Sequence, residues 1–404
     1  MPMSKTYDYL IIGAGIMGLS LARALKAKQP QCNILILDKE ADCAYHASGR
    51  NSGVLHAGFY YTADSLKAKF TVEGNRRMKE YCRSKDIPMN ECGKLVVAQN
   101  KEELEQLYEL ERRGKRNGSN IRIISEKEAM SIEPSVKTFQ KALHSPDTAS
   151  VDPNQVCHAI KEDLKNLAVD FSFDTEYLSQ HDHIVFTSKG EFTAPAGKII
   201  NCSGLYADKV AQDFGFGQKY TMMPFKGLYL KYTKNKTDIK TNIYPVPNLK
   251  NPFLGVHYTK TVAGDIKIGP TAIPAFWREN YKGFGHFSFS EFTSTAFYQS
   301  KLFLTNSFKF RELAFEEIRK YNKDYFIGLA VAMVQPGTID PSGFTQWTKP
   351  GIRAQLLDKA KLSLVQDFVV EGDDKSIHIL NAVSPAFTCA FPFSDHIVEK
   401  YILA

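Results

Sequence analysis

Short apolar runs stopped by glycine, alternating with amphipathic stretches, set the pattern of the first forty residues. Tyr7 to Ile12 (YDYLII) is aromatic and β-branched and ends at a glycine, which predicts a strand buried on both faces. Ile16 to about Lys28 carries Ile16, Leu19, Leu21 and Leu25 with small Ala22 and Ala24, a helix with a sheet-facing side. Asn33 to Leu37 is a second apolar run, ending in Asp38. Far downstream, Lys198-Ile199-Ile200-Asn201-Cys202-Ser203-Gly204 reads as another buried strand running into a glycine turn. Glu102 to Arg113 (EELEQLYELERR) puts Leu104, Leu107 and Leu110 on one side of a charged helix, expected to stop at Gly114. Its charges form a solvated face. Tyr244 to Thr259 and Ile266 to Ile273 show short apolar runs between proline and glycine, as antiparallel strands do. The chain has no internal repeat and no low-complexity linker.

Between the first strand and helix lies Gly13-Ala14-Gly15-Ile16-Met17-Gly18. Gly13 suits a tight turn, Gly15 lets a pyrophosphate approach the backbone, and Gly18 allows helix and strand to pack closely. The helix start offers N–H groups to phosphate charge. Asp38 stands 20 residues past Gly18, where a carboxylate would accept from ribose hydroxyls. An acid there disfavours a 2′-phosphate, and with it NADP.

At 404 residues the chain is long enough for two domains. Its 43% hydrophobic and 24% charged content excludes wholesale disorder. No apolar run approaches the ~18–20 residues of a membrane span, the longest ending at Gln335-Pro336. The 51 basic residues against 44 acidic suit an anionic small molecule or a weak contact with a membrane surface. They are scattered, which argues against nucleic-acid binding. Seven cysteines without a CxxC pair argue against zinc and against a disulfide framework. With a glycine turn so close to the start, no secretory leader is expected, and a cytoplasmic location follows.

After Asp38 comes His46-Ala47-Ser48-Gly49-Arg50-Asn51-Ser52-Gly53-Val54-Leu55-His56-Ala57-Gly58-Phe59-Tyr60-Tyr61, a loop suited to approaching a flat ligand. Its histidines and tyrosines could supply proton chemistry or ring contacts. A structural role is the expectation for His46, while His56 is open between the two.

This segment resembles the S-G-x-N-S-G-V-[IL]-H-[SA]-G-[IF]-Y-Y signature of L-2-hydroxyglutarate dehydrogenases and oxidases, members of the D-amino-acid-oxidase-like group of FAD proteins. Asn242-Ile243-Tyr244-Pro245-Val246-Pro247-Asn248 and Pro252-Phe253-Leu254-Gly255-Val256-His257-Tyr258-Thr259 are similar to further family segments. So are Gly269-Pro270-Thr271-Ala272, Ala275-Phe276-Trp277-Arg278-Glu279, Gly351-Ile352-Arg353-Ala354-Gln355 and Ser384-Pro385-Ala386. The matches run from residue 8 to about 396. The chain departs at Pro224-Phe225-Lys226-Gly227-Leu228-Tyr229, where the family has an arginine and an acid, and matches loosely over the phenylalanine-rich Gly283 to Lys309.

The resemblance implies an α/β fold: a Rossmann-like FAD-binding domain (1–85, 145–215 and 340–404) interleaved with an α+β substrate domain (86–144 and 216–339) on an antiparallel sheet. It implies non-covalent FAD, held by Gly13, Gly15, Ile16, Met17, Gly18, Asp38, Lys39, Ser48, Asn51, Ser52, Gly53, Val54, Ser203, Gly204 and the Ser384-Pro385-Ala386-Phe387-Thr388 helix start. The activity implied is hydride transfer from C2 of L-2-hydroxyglutarate to the flavin, giving 2-oxoglutarate. A quinone, another carrier or oxygen then takes the electrons. His56, slightly favoured, or His257 would be the base. Arg353, in a Gly-Ile-Arg turn, would clamp the C1 carboxylate, with Lys226, Tyr244, Tyr258 and Arg278 candidates for the second. An amine or amino-acid oxidase of the same fold, or a non-catalytic flavin-binding subunit, are the alternatives.

Overall fold

The structure, a computed structural model, describes residues 6–181, 184–193, 197–234, 237–247 and 253–403. Asn248 and Pro252, quoted among the motifs, lie outside the described residues. The chain forms two compact units: Met1–Arg50, Pro153–Pro224 and Arg353–Ala404 make the first, Asn51–Asp152 and Phe225–Ile352 the second.

The first unit is built on a six-stranded sheet. Tyr9–Ile12 runs in its middle, parallel to Ile34–Leu37 on one side and Lys198–Asn201 on the other. Asp170–Ser172 and Ser376–Asn381 extend it in parallel, and Val369–Gly372 closes one edge antiparallel. Every residue of Tyr9–Ile12 and Ile34–Leu37 is buried, which is why these runs are apolar without alternation. The helix Ile16–Lys28 has the bounds read from the sequence. It packs against the helices Ala386–Ile397 and Pro153–Asn166, so its burial extends beyond a single stripe.

An eight-stranded sheet carries the second unit, in the order Phe344–Trp347, Leu230–Tyr232, Ile266–Gly269, His257–Lys260, Asn242–Pro245, Lys94–Val97, Lys141–Ser145 and Arg122–Ser125. Its pairings are antiparallel except one: Asn242–Pro245 runs parallel to Lys94–Val97. Alternation gives the sheet two different faces. Leu95, Val97, Ile243, Tyr258, Ile266 and Ile268 point into a core shared with Phe326, Ala330, Met333 and Phe344. On the other face, Val96 and Tyr244 meet Phe59 and the Leu104, Leu107 and Leu110 stripe.

That stripe belongs to the helix Lys101–Arg116, which passes through Gly114 instead of ending there. A Cβ on Gly114 would stand 2.7 Å from the Phe59 Cβ and 2.1 Å from Ile121 Cδ1. The glycine serves close packing. Further along the chain, the helix Ala386–Ile397 continues into a π-turn, Val398–Ile402. No described helix is long and apolar enough to cross a membrane.

The observed units divide the chain differently from the expected domains, for local reasons. Residues 51–85 and 145–152 cluster with the second unit because Val54–Leu55 pairs with Ala149–Val151, and Asn75 Nδ2 ties together the carbonyls of Leu55, His56 and Asp147. Residues 340–352 join it through Phe344–Trp347, paired with Leu230–Tyr232. Residues 216–224 go to the first unit, where Tyr220 and Met222 pack on Ala211, Leu356 and Leu380.

His378 gives the first unit a pH dependence. Its Nδ1 accepts from Asn201 Nδ2 at 3.2 Å, so its Nε2–H donates to Ser376 Oγ at 3.0 Å. Burial, opposed by Asp373, pulls its pKa down from 6.5 to about 4. Below pH 6.5 the unfolded chain takes up a proton the native ring refuses, so stability is full above that pH and is lost as pH falls towards 4. His56, pulled to about 3, acts in the same direction. Melting temperature measured from about pH 6.5 to pH 4 should fall. A flat profile down to about pH 5 would contradict both assignments.

Candidate active site

In the first unit, the strand Tyr9–Ile12 delivers the chain into the glycine turn. Gly13 has φ +109°, and a Cβ there would lie 2.5 Å from the Cys202 carbonyl oxygen. On Gly18 a Cβ would come within 2.0 Å of the Gly13 carbonyl oxygen, so helix and turn touch through bare backbone. Asp38, at the tip of the second strand, accepts from Ala14 N–H (2.7 Å) and Glu40 N–H (3.0 Å), and burial raises its pKa. Ser48 Oγ accepts from Ile16 N–H at 2.8 Å and would meet a Cβ on Gly15 at 2.9 Å.

These residues fit a dinucleotide diphosphate. The helix begins with no acid in its first turn, its leading N–H groups lack intrahelical acceptors, and the Gly15 backbone is open except for one rotatable hydroxyl. Ile16, Met17 and Ser48 belong to this helix start. Lys39 lies over the Tyr206 ring at 5.2 Å and pairs with Glu40 at 3.2 Å. His46 Nε2 also meets Glu40, at 2.8 Å, and that bond holds the Glu40 carboxyl down at about 2. Ser203 donates through both N–H and Oγ to Asn201 Oδ1, which sets the turn at Gly204. Ser384 and Pro385 precede the helix Ala386–Ile397, whose first turn, with Phe387 and Thr388, also holds no acid.

Asn51, Ser52, Gly53 and Val54 fall in the second unit. Asn51 Oδ1 accepts from Gly53 N–H (2.8 Å), and the Ser52 carbonyl accepts from Lys267 Nζ (3.2 Å).

The polar-bearing face of the eight-stranded sheet gathers the second unit's chemistry. His257 donates Nδ1–H to the Gly255 carbonyl at 2.8 Å, which in the neutral ring puts the lone pair on Nε2. Its ring stacks on Tyr244 (centroids 3.6 Å apart, planes at 15°) and meets Tyr229 edge-on at 6.4 Å. Lys267 Nζ lies 4.8 Å over Tyr229, and Lys94 Nζ 4.0 Å over Tyr244. The strand register explains the grouping: Lys94 stands opposite Asn242, and Thr259 opposite Lys267, so both lysines project from the His257 face. Burial lowers both amines, Lys94 to about 7 and Lys267 to about 8, with Asp152 and Asp265 working against it at Lys267. Among the described residues neither lysine has a carboxylate in an ion pair.

Not every expected site residue belongs to this face. Tyr258 follows His257 in the strand and therefore points the opposite way, into the apolar core, fully buried. Arg278 is buried beside Glu291, 3.7 Å from its carboxylate. Lys226 donates to Asn280 Oδ1 at 3.4 Å, and burial lowers its pKa. Arg353 stands inside the strand Gly351–Asp358, not in a turn. His56 is buried, and its pKa is driven to about 3 first by burial and then by the charge of Lys94. Lys94, Lys267 and Tyr229 were not among the expected residues, whereas Tyr60 is one of the loop tyrosines expected to supply proton chemistry or ring contacts. A lysine inside each of the apolar strands KLVV and IKIG is the signal that could have found Lys94 and Lys267.

The chain resembles known proteins over nearly its whole length. The family model described as FAD dependent oxidoreductase (DAO) matches residues 8–399. The mitochondrial L-2-hydroxyglutarate dehydrogenase of Dictyostelium discoideum is 33% identical, covering 97% of this chain and 92% of that protein. The L-2-hydroxyglutarate dehydrogenase of Indibacter alkaliphilus is 34% identical, covering 97% and 98%. In fold the chain is similar to L-alpha-glycerophosphate oxidase from Mycoplasma pneumoniae (TM-score 0.74, 21% identity, 98% and 95% covered) and to glycine oxidase from Geobacillus kaustophilus (TM-score 0.70, 16% identity, 98% and 94% covered). A glycine cradle shaped for a dinucleotide and a family match spanning both units lead to one assignment: the chain belongs to the DAO family of FAD-dependent oxidoreductases.

Proposed function

We infer that this protein oxidises L-2-hydroxyglutarate to 2-oxoglutarate. The names of its relatives support the reading, and one observation in the structure carries it: a histidine with a fixed tautomer shares a sheet face with two lysines that, among the described residues, lack carboxylate partners. A dianionic hydroxy acid needs two cations and one base.

FAD, which the glycine cradle and the Ser48 hydroxyl would help hold without a covalent link, would supply the hydride acceptor, and the electrons would go on to a quinone, another carrier or oxygen. His257 takes the hydroxyl proton at Nε2, while its Nδ1–H stays on the Gly255 carbonyl. Tyr244 keeps the imidazole plane fixed by stacking. Lys267, stretched over Tyr229, adds positive charge to this face, and Arg353 is the proposed partner of the C1 carboxylate. His56, with so low a proton affinity, is the weaker base. A cytoplasmic location with a peripheral membrane contact completes the proposal, supported by the exposed Phe284, Phe289, Phe297 and Leu304.

Anaerobic mixing with L-2-hydroxyglutarate should bleach the flavin absorbance, while D-2-hydroxyglutarate, lactate, glycine and sarcosine should leave it. Bleaching by glycine or sarcosine alone would make the protein an amine oxidase. No bleaching by any of them would favour a non-catalytic flavin subunit.

A further inference from the structure

Lys94 is a costly residue to keep. Its side chain is fully buried, and among the described residues its Nζ has no hydrogen-bond partner. Three rings surround it: Tyr244 at 4.0 Å, Tyr60 at 5.3 Å and Phe59 at 5.7 Å. Cation–π contacts recover part of the lost hydration, but an ammonium with no anion in so dry a place remains under-compensated. The Tyr60 hydroxyl is a second buried donor without a partner. Among the described residues neither donor has an acceptor within hydrogen-bond distance. Such a place is built to receive an anionic acceptor from outside.

We propose that Lys94 and Tyr60 form the subsite for the substrate carboxylate remote from the reacting carbon, and so select a dicarboxylate over a monocarboxylate. This rests on the hydroxy-acid reading above. Lys94 Nζ lies 4.0 Å from the Tyr244 ring centroid and the His257 ring 3.6 Å from it, on strands that flank the Tyr244 strand, so a diacid that reaches both passes the edge of that ring. Of the three caging rings only Tyr60 has appreciable exposure, so its side chain is the one that turns aside to admit the carboxylate. Lys267 differs: it already donates to the Ser52 carbonyl.

The test is Lys94→Met, which keeps the length and removes the charge. Flavin content should match the parent, and the melting temperature should equal or exceed it, because an under-compensated buried charge is gone. The ratio of kcat/KM for L-2-hydroxyglutarate to that for L-2-hydroxypentanoate, a monoacid of equal chain length, should fall roughly 10²-fold, mainly through KM. Tyr60→Phe should shift the ratio the same way by about 3–10-fold. Glutarate, a diacid with no hydroxyl to oxidise, should raise the melting temperature of the parent and not that of Lys94→Met. An unchanged ratio, or equal losses on both acids, overturns the subsite. If the parent oxidises neither acid, the hydroxy-acid reading has failed, and the glutarate shift still decides whether Lys94 receives a carboxylate.

Discussion

Replacing His257 by alanine is expected to slow anaerobic flavin reduction by L-2-hydroxyglutarate by roughly 10²–10⁴-fold, the range a positioned proton acceptor supplies. Flavin content should stay near the parent's, since His257 belongs to the second unit and the glycine cradle to the first. The size of the effect follows from how firmly the ring is set. The Gly255 carbonyl fixes its proton at Nδ1, and Tyr244 stacks on it nearly parallel. No reorientation is then needed when the hydroxyl proton leaves. His56 sits against a charged lysine in a dry environment and holds a proton only below about pH 3. Rapid-mixing absorbance is the measurement, and added imidazole should restore part of the rate. A rate within about twofold of the parent would return the role of base to His56.

Gly18→Ala is expected to yield protein that cannot retain FAD, measured as the flavin-to-protein ratio after purification and after reconstitution. The new Cβ would stand 2.0 Å from the Gly13 carbonyl oxygen and 3.3 Å from Ile11 Cγ2, and the first of these is backbone that cannot rotate away. Relief requires the helix Ile16–Lys28 to lift from the turn, carrying with it the N–H groups meant for phosphate. Gly15→Ala should be milder, because its Cβ meets only the Ser48 hydroxyl, which can turn. A parent-like ratio in Gly18→Ala would show that the cradle tolerates displacement and would remove the steric argument.

The nucleotide unit was legible in the sequence because each of its rules is local. A buried strand, a glycine turn, a helix and an acid follow one another within thirty residues, and Ile16–Lys28 and Asp38 stand where that order puts them. The sheet face that bears His257 was only half legible. His257 and Tyr244 could be named from their motifs, but their stacking comes from a cross-strand register that no single segment encodes. Tyr258 shows the limit from the other side: alternation along its own strand already placed it away from His257, whereas motif membership grouped the two. Lys94 was passed over because a lysine in a short strand reads as an edge or a solvated end. Its two partners, Asn242–Pro245 on one side and Lys141–Ser145 on the other, place it inside. Gly114 misled in the same way, since a glycine at a helix end and a glycine under a crossing side chain look alike until Phe59 and Ile121 are seen against it.

The order of strands in the six-stranded sheet bears on how the protein is made. Tyr9–Ile12 leaves the ribosome well before Lys198–Asn201, one of its neighbours, and that strand in turn pairs with Ser376–Asn381, made later still. Until then an apolar strand edge stays open in the nascent chain, a template for mispairing and a natural client for chaperones. Cofactor loading therefore waits on strands far apart along the chain, Lys198–Asn201 and Ser376–Asn381 among them.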